Sequence, residues 1–387
     1  MSIYNNPVTR QTARMVSLVC GLLFTLFIAV YVLRMQGLLL ATANHAFQGV
    51  SGFHPYFATL IVLAVLIIPP LIIQRPLRLP IRWKALVWIP SCIALGWFTD
   101  IHFPFEPEGG TKTPLWVFLL AFLCWCVVVS MVRNLRDSSE TKGSLAQFIT
   151  PNTIILIVGI CLALATGNTN AILHQEIRQT YMLMAGDYEA VLHVGEKETR
   201  TSHTQQSLRA VALSRTGQMG NRLFYYPMSY GSEGLLPLPA DTLRSLNLPK
   251  YVFRHLHGRP MKPIHTHGSF QTATGFLGAL ALSEKASEAA KEYYLCALLL
   301  DRRIDDFAET IQLFADTVST ALPRHYREAL VLHNRLHSNP KVRFRDAETE
   351  ENFSDFLADM DSHKGLSDEQ IYMSDYYKHT YWFYYYY

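Results

Sequence analysis

The chain has 387 residues, half of them hydrophobic and only 17% charged, a balance too apolar for a water-soluble domain of ordinary composition. Its formal charge of +3 is unevenly spread: residues 1–170 hold eleven Lys/Arg against five Asp/Glu, whereas residues 171–387 hold 23 against 26. The second half therefore lacks the basic surplus of a nucleic-acid binder, and with Cys296 as its only cysteine a disulfide framework is excluded there.

Crossing a bilayer takes about 20 mostly apolar residues in a helix. Five stretches qualify, at roughly 15–33, 56–74, 84–102, 114–132 and 152–170, and none carries a charge near its middle. The first is preceded by Arg10 and Arg14 and followed by Ala41-Thr42-Ala43, which resembles a signal cleavage site. Its apolar run exceeds the roughly 7–15 residues of a signal core, so an uncleaved anchor is expected. The lack of charge inside the spans argues against an ion or solute path.

Short cytoplasmic loops are enriched in Lys and Arg. Arg10 and Arg14, then Arg75, Arg78, Arg82 and Lys84, then Arg133, Arg136 and Lys142 mark three inner segments, whereas the loop after span three holds Asp100, Glu106 and Glu108 against Lys112 alone. With an internal N-terminus, five spans deliver the second half outside the cytoplasm.

From Ile172 the apolar period becomes helical. Ile177, Tyr181 and Met184 precede a break at Ala185-Gly186-Asp187, and Tyr188, Val191 and Leu192 follow it, which predicts a helical hairpin. A third helix carries Leu208, Val211 and Ala212 and ends at Gly217, 31 residues after Gly186, near the tetratricopeptide period of about 34. Twelve Gly or Pro in residues 217–268 predict an irregular insertion. Ala286 to Ala297 and the stripe Ile304, Phe307, Ala308, Ile311 and Phe314 then predict a second hairpin, and Pro323 opens a further helix. The expected fold is all-α: five transmembrane helices over residues 1–170, then a tetratricopeptide-like helical-hairpin domain over 171–387 with its irregular segment at 217–268.

The multispan first half, the hairpin AGDYEAVL, the segment GNRLFYYPMSYGSEGLLP and the later LPRHYREALVL resemble an uncharacterised family of Bacteroidetes membrane proteins with a tetratricopeptide-like tail. The resemblance implies this architecture and a bacterial inner membrane. It brings no catalytic residue with it.

Three groups of residues could carry chemistry. RHLHGRPMKPIHTHG places His255, His257, His265 and His267 in one Gly/Pro-broken stretch. Two His-x-His pairs in extended chain could offer four nitrogens to a metal. No carboxylate or cysteine accompanies them, and Arg254, Arg259 and Lys262 add positive charge, so a basic loop without metal is the expectation. On the outer side of the membrane half, His45, His54, Asp100, His102, Glu106 and Glu108 fall together, and Asp100, His102, Glu106 and Glu108 are candidate acid-base residues for a lipid-linked or glycan substrate. Loop residues that merely keep the outer surface polar are the plainer alternative.

A protein-binding surface is the third possibility. In stacked hairpins the side chains off the packing stripe face a partner, which on the third helix selects Gln205, Gln206, Arg209 and Arg215, and in the later hairpin Lys291, Glu292 and Tyr294. The insertion adds Arg222, Tyr225, Tyr226 and Tyr230, residue types that dominate interface energetics. No phosphate-cradling loop, G-x-S-x-G or H-E-x-x-H motif occurs, so no cofactor is expected. The favoured role is an envelope scaffold recognising an extracytoplasmic protein or peptide, with the bilayer as its other partner and no nucleic acid; a polytopic membrane enzyme is the alternative. Nine of the last twelve residues are aromatic, and they need burial either on the last helices or at the bilayer interface.

Overall fold

The computed structural model describes residues 7–48, 55–77, 79–103, 112–134, 144–238, 247–259, 272–314, 322–340, 342–365 and 368–387. Among these residues there are helices and no strand. The chain divides into two units, Met1–His174 and Gln175–Tyr387, with the division in the first turn of the helix Ala171–Met184.

In the first unit, four helices are long and apolar enough to cross a membrane: Gln11–Asn44, Thr59–Leu77, Leu115–Arg133 and Leu145–Thr166. Their outward faces remain apolar. Leu18, Leu22 and Leu26, one turn apart, are 62–63% exposed, a stripe that would drive aggregation in water and suits lipid. Phe24, Ile28 and Leu156 from their inner faces join Trp88 and Leu95 of the intervening segment in one core. The first helix runs far past the expected boundary at residue 33, and it widens into a π turn at Val32–Gln36 before resuming as Gly37–Gln48.

The segment expected as a regular third span is a composite. A 3₁₀ helix, Ile81–Trp88, leads into an α-helix of eleven residues, Ile89–Thr99, with Pro90 in its first turn. Proline cannot donate to an upstream carbonyl, and two polar side chains tie the tighter turn to the neighbouring helices. The backbone N–H of Ala85 donates to Asn152 Oδ1 at 2.7 Å, and Asn152 Nδ2 donates to the Ile81 carbonyl at 2.8 Å. Trp125 Nε1 donates to the Leu86 carbonyl at 2.7 Å. Ile89–Thr99 then approaches Leu145–Thr166 closely through glycines: a Cβ on Gly96 would lie 2.1 Å from Thr166 Oγ1, and one on Gly159 would lie 2.7 Å from Ile89. Small residues at such contacts let helix backbones meet.

The second unit is built of helices around one core that includes Leu208, Tyr293, Phe307, Leu330, Phe356 and Tyr381. Glu288–Leu300 packs against Ile304–Phe314, which in turn packs against Arg324–Leu336. The helix His203–Arg215 departs from expectation. Every residue from Thr204 to Leu213 is buried, so it has no free face and the stripe rule does not apply to it. Neighbouring backbone closes over its polar side: Gln206 Nε2 donates to the Gly231 carbonyl at 2.7 Å, and the Tyr230 N–H donates to Gln206 Oε1 at 3.1 Å. Gln205 meets Gln175 Oε1 at 2.8 Å. Gln205, Gln206 and Arg209 are therefore interior residues, not a partner-facing surface.

Irregularity in the insertion is only partial. It holds short 3₁₀ turns at Leu223–Tyr225 and Gly231–Leu235 and an amphipathic helix, Leu248–His255, that buries Leu248, Val252 and Phe253. The aromatic tail folds onto this unit: Tyr381 and Trp382 are buried in a short helix, Tyr381–Tyr386. Burying aromatic rings of this size is worth about 1.5–3 kcal/mol each.

Candidate functional site

A cleft of about 420 Å³ opens in the second unit, walled by three separate segments. Glu196–Thr199 form one wall, Phe224–Ser229 another, and the C-terminal residues Lys378, His379, Phe383, Tyr384 and Tyr387 the third, with Arg302 among the lining groups. Its volume lies within the range of small-ligand and peptide sites.

Each wall has an identifiable brace. Arg209, 0% exposed, donates to the carbonyls of Val194 and Gly195, each at 3.1 Å, and to Thr201 Oγ1 at 3.2 Å. It thereby pins both ends of the loop that carries Glu196–Thr199. Burial lowers the proton affinity of its guanidinium, but an arginine stays charged far above neutral pH. The same guanidinium lies 5.2 Å from the centroid of the Tyr226 ring, and Arg222 Nη2 donates to the Tyr226 hydroxyl at 3.3 Å. Tyr225 stacks on His379 at 4.5 Å, and Arg324 Nη1 donates to its hydroxyl at 2.9 Å. Phe224 meets Tyr384 at 4.9 Å, and Arg302 Nη2 holds the Tyr384 carbonyl at 2.9 Å.

Lys197, Arg302 and Lys378 face Glu196 and Glu198 around this aromatic lining. Burial first, then Lys378, Arg324 and His325, lowers the pKa of His379. Its Nδ1 is buried without a hydrogen-bond partner. Stacked on Tyr225, the imidazole contributes a flat aromatic face to the cleft wall.

Of the residues singled out from the sequence, Tyr225 and Tyr226 line this cleft, Tyr226 mostly buried, while Arg222 and Arg209 brace it. Tyr230 is set elsewhere, edge-on to His203 at 5.3 Å. Glu292 is half-buried, and it accepts from Ser214 and from the N–H groups of Met219 and Gly220 instead of facing a partner. The tail residues and His379 were missed because no spacing rule links residue 379 to residue 225.

The first unit holds a second polar cluster. Asp100, 3% exposed, takes His102 Nε2 at 2.9 Å on Oδ1 and the Thr113 N–H at 2.9 Å on Oδ2. His102 Nδ1 lies 3.5 Å from Asn168 Nδ2. Asn168 is the hub: its carbonyl meets Gln36 Nε2 and His174 Nε2, each at 3.0 Å, and its N–H donates to the Thr99 carbonyl at 2.9 Å. The π turn is what brings Gln36 here, as such turns often do at functional sites. Asp100 and His102 are therefore not part of a solvated polar loop. Glu106, Glu108 and His54 lie outside the described residues, as does the side chain of His45. Gln36 was legible in principle, being the only amide side chain between residues 15 and 43.

The first His-x-His pair of the histidine stretch is not in extended chain. Its first part ends the helix Leu248–His255, where Ser214 Oγ meets His255 Nε2 at 3.0 Å, and His257 turns into left-handed backbone at φ 55°. An amphipathic run of eight residues favours helix over extended chain. Burial, helped by Arg215 and His257, pushes the His255 pKa down to about 4. His265 and His267 lie outside the described residues. The described residues do bring three metal-capable groups together elsewhere, Asp305, His333 and His337.

The model of a family described as a family of unknown function (DUF6057) matches residues 4–259 and 254–387. The chain belongs to that family. No curated protein and no solved structure matches it. Membership in DUF6057 thus unites the apolar first unit and the helical second unit in one family, and the chemistry rests on the geometry above.

Proposed function

We propose that the chain is a multi-pass protein of the bacterial inner membrane whose second unit binds an extracytoplasmic protein or peptide segment in the cleft between Tyr225, His379 and the C-terminal aromatics. The observation that carries this reading is the cleft itself: aromatic walls braced by arginines, with lysines and glutamates at the lining. Aromatic and arginine side chains in a partly desolvated pocket are the usual centre of a binding surface.

The side of the membrane depends on the composite segment. With four crossings the second unit shares a side with the N-terminus; with five it lies opposite. Eight residues of 3₁₀ helix at about 2.0 Å each and eleven of α-helix at about 1.5 Å each span about 32 Å, enough for a hydrocarbon core of about 30 Å. The Lys/Arg distribution supports the same count. The hairpins of the second unit are read as tetratricopeptide-like, an architecture that serves peptide recognition by its shape.

A membrane enzyme acting on a lipid-linked or glycan substrate is the second reading, favoured by the buried Asp100–His102 pair beside a π turn. Against it, both carboxylate oxygens and both ring nitrogens are engaged within the protein, which suits holding the chain after Thr99 more than moving a proton.

A photo-crosslinking residue placed at Tyr387 in living cells tests the binding reading, with Tyr230 as the off-cleft control. A discrete adduct from position 387 and none from 230, reduced several-fold by Lys197→Ala with Lys378→Ala, is expected. Equal adducts from both positions, or none from 387, reject it. Loss of a lipid-dependent activity in Asp100→Asn would favour the enzyme.

A further inference from the structure

His333 and His337 are one helical turn apart at the end of Arg324–Leu336, so their rings share a face, with centroids 4.7 Å apart. Asp305, in the first turn of Ile304–Phe314, reaches across to both: its Oδ1 lies 3.5 Å from His333 Nε2 and 3.4 Å from His337 Nε2. One ligand atom from each of the three lies within 4.8 Å of the others.

These separations are long for direct charge-assisted hydrogen bonds, which fall near 2.7–2.9 Å. They match two ligands sharing one ion: bonds of about 2.0–2.1 Å at a tetrahedral angle place ligand atoms about 3.3–3.4 Å apart. The ring orientation agrees. His337 Nδ1 donates to the His333 carbonyl at 3.1 Å, the outer bond that fixes a metal-binding imidazole and leaves the Nε2 lone pair free. With Nδ1 as the donor, a neutral ring turns its Nε2 lone pair toward the Asp305 carboxylate, an arrangement that a shared cation or a proton on Nε2 relieves.

We propose that Asp305, His333 and His337 form a binding site for a divalent transition-metal ion of the Zn²⁺ class, held by two imidazole nitrogens and one carboxylate. His333 is 4% exposed whereas Asp305 is exposed, so the ion would rest on a buried ring and keep open coordination positions toward solvent. Glu309, one turn beyond Asp305, adds negative charge beside His333. Two imidazoles with one carboxylate suit zinc and its neighbours better than calcium or magnesium, which prefer all-oxygen sites. The site would clamp Ile304–Phe314 to the end of Arg324–Leu336.

The test uses the full-length protein in detergent, stripped by chelator and titrated with Zn²⁺, and with Co²⁺ as a spectroscopic reporter. One tight equivalent is expected, with Co²⁺ giving the visible bands of a nitrogen- and oxygen-ligated ion that Zn²⁺ displaces. Asp305→Asn and His337→Gln alter the more exposed ligands and spare buried His333. Each should weaken binding by more than the roughly 10–100-fold that loss of an outer-shell partner costs, with the apo melting temperature unchanged. His255→Gln should leave the equivalent in place. No tight equivalent in the wild type, retention in both ligand variants, or its loss in His255→Gln would overturn the proposal.

Discussion

The backbone N–H of Tyr381 donates to the buried carboxylate of Glu328 at 2.7 Å. The Glu328 carbonyl also accepts Trp382 Nε1 at 2.9 Å, and its carboxylate meets Arg324 at 2.7 Å and His325 at 2.9 Å. Burial works to raise this pKa, but His325 and Arg324 outweigh it and hold the group below the ordinary carboxylate range. The tail is thus docked by an ionised side chain inside the core.

Glu328→Ala strands Arg324 and His325 and frees the tail, and it should cost about 3–5 kcal/mol. Thermal melting of the full chain in detergent measures the loss, and limited proteolysis should then cleave before Tyr381. Because the folded pKa is depressed, this stabilisation is present above the unfolded value and is lost as pH falls through the folded one. A tail that stays protected in the variant would show that ring packing alone suffices.

Glu292 behaves oppositely. Burial raises its pKa to about 7, against hydrogen bonds from Ser214, Gly220 and Met219 that pull it down. The folded state then binds the proton more tightly than the unfolded one between about pH 4.5 and 7, so this group makes stability fall as pH rises across that window. Glu292→Gln removes the penalty. At pH 8 the variant should be more stable than wild type by about 1–3 kcal/mol, and near pH 4 the two should converge. Parallel melting curves over the whole range would refute this assignment.

Arg209 and Arg222 should separate cleanly on substitution. Arg209 is buried with three acceptors, so Arg209→Ala should cost at least about 2–3 kcal/mol and loosen the loop at 194–201. Arg222 pairs at 3.3 Å with Glu189 and also donates to Gln218 and Tyr226, none of them in that loop, and its removal should cost about 1–2 kcal/mol without loosening residues 194–201. Hydrogen exchange over residues 194–201 reads both effects; equal protection in the two variants would count against the brace.

Asn152→Ala removes the side-chain bonds to the Ala85 N–H and the Ile81 carbonyl. With about 0.5–1.5 kcal/mol net per hydrogen bond, the first unit should lose roughly 1–3 kcal/mol in a detergent unfolding titration. Asn152→Asp, which keeps the acceptor only, should fall between. An unperturbed transition in Asn152→Ala would mean that the 3₁₀ segment draws no net stability from the Asn152 side chain.

Orientation is checked by reporter fusions. A reporter active only outside the cytoplasm should work after Asn170 and Tyr387 and fail after Arg136. Activity after Arg136 and silence after Tyr387 would move the cleft to the cytoplasmic side and remove an extracytoplasmic partner.

Apolar run length and helical period were enough to place most long helices, because burial of a stripe or a whole cylinder leaves a direct mark on residue order. Ile304, Phe307, Ala308 and Ile311 are buried as their spacing requires. The helix His203–Arg215 defeated the same rule, since polar side chains that bond to loop carbonyls can be buried as fully as leucine. The 3₁₀ turn at Ile81–Trp88 was equally hidden, since its bonds to Asn152 join residues far apart in the chain. Of the cleft, Tyr225 and Tyr226 stood out as aromatic neighbours of Arg222, but pairings such as Tyr225 with His379 arise only when the tail folds back. Asp305 with His333 and His337 was invisible for the same reason.

Asn152 also sets an order on biosynthesis. It follows Ala85 by 67 residues, which at about 5–20 residues per second takes the ribosome roughly 3–13 s. Until then residues 81–88 emerge without the side chain that ties them to Leu145–Thr166. The contact between the two segments therefore forms only when the last apolar helix of the first unit arrives.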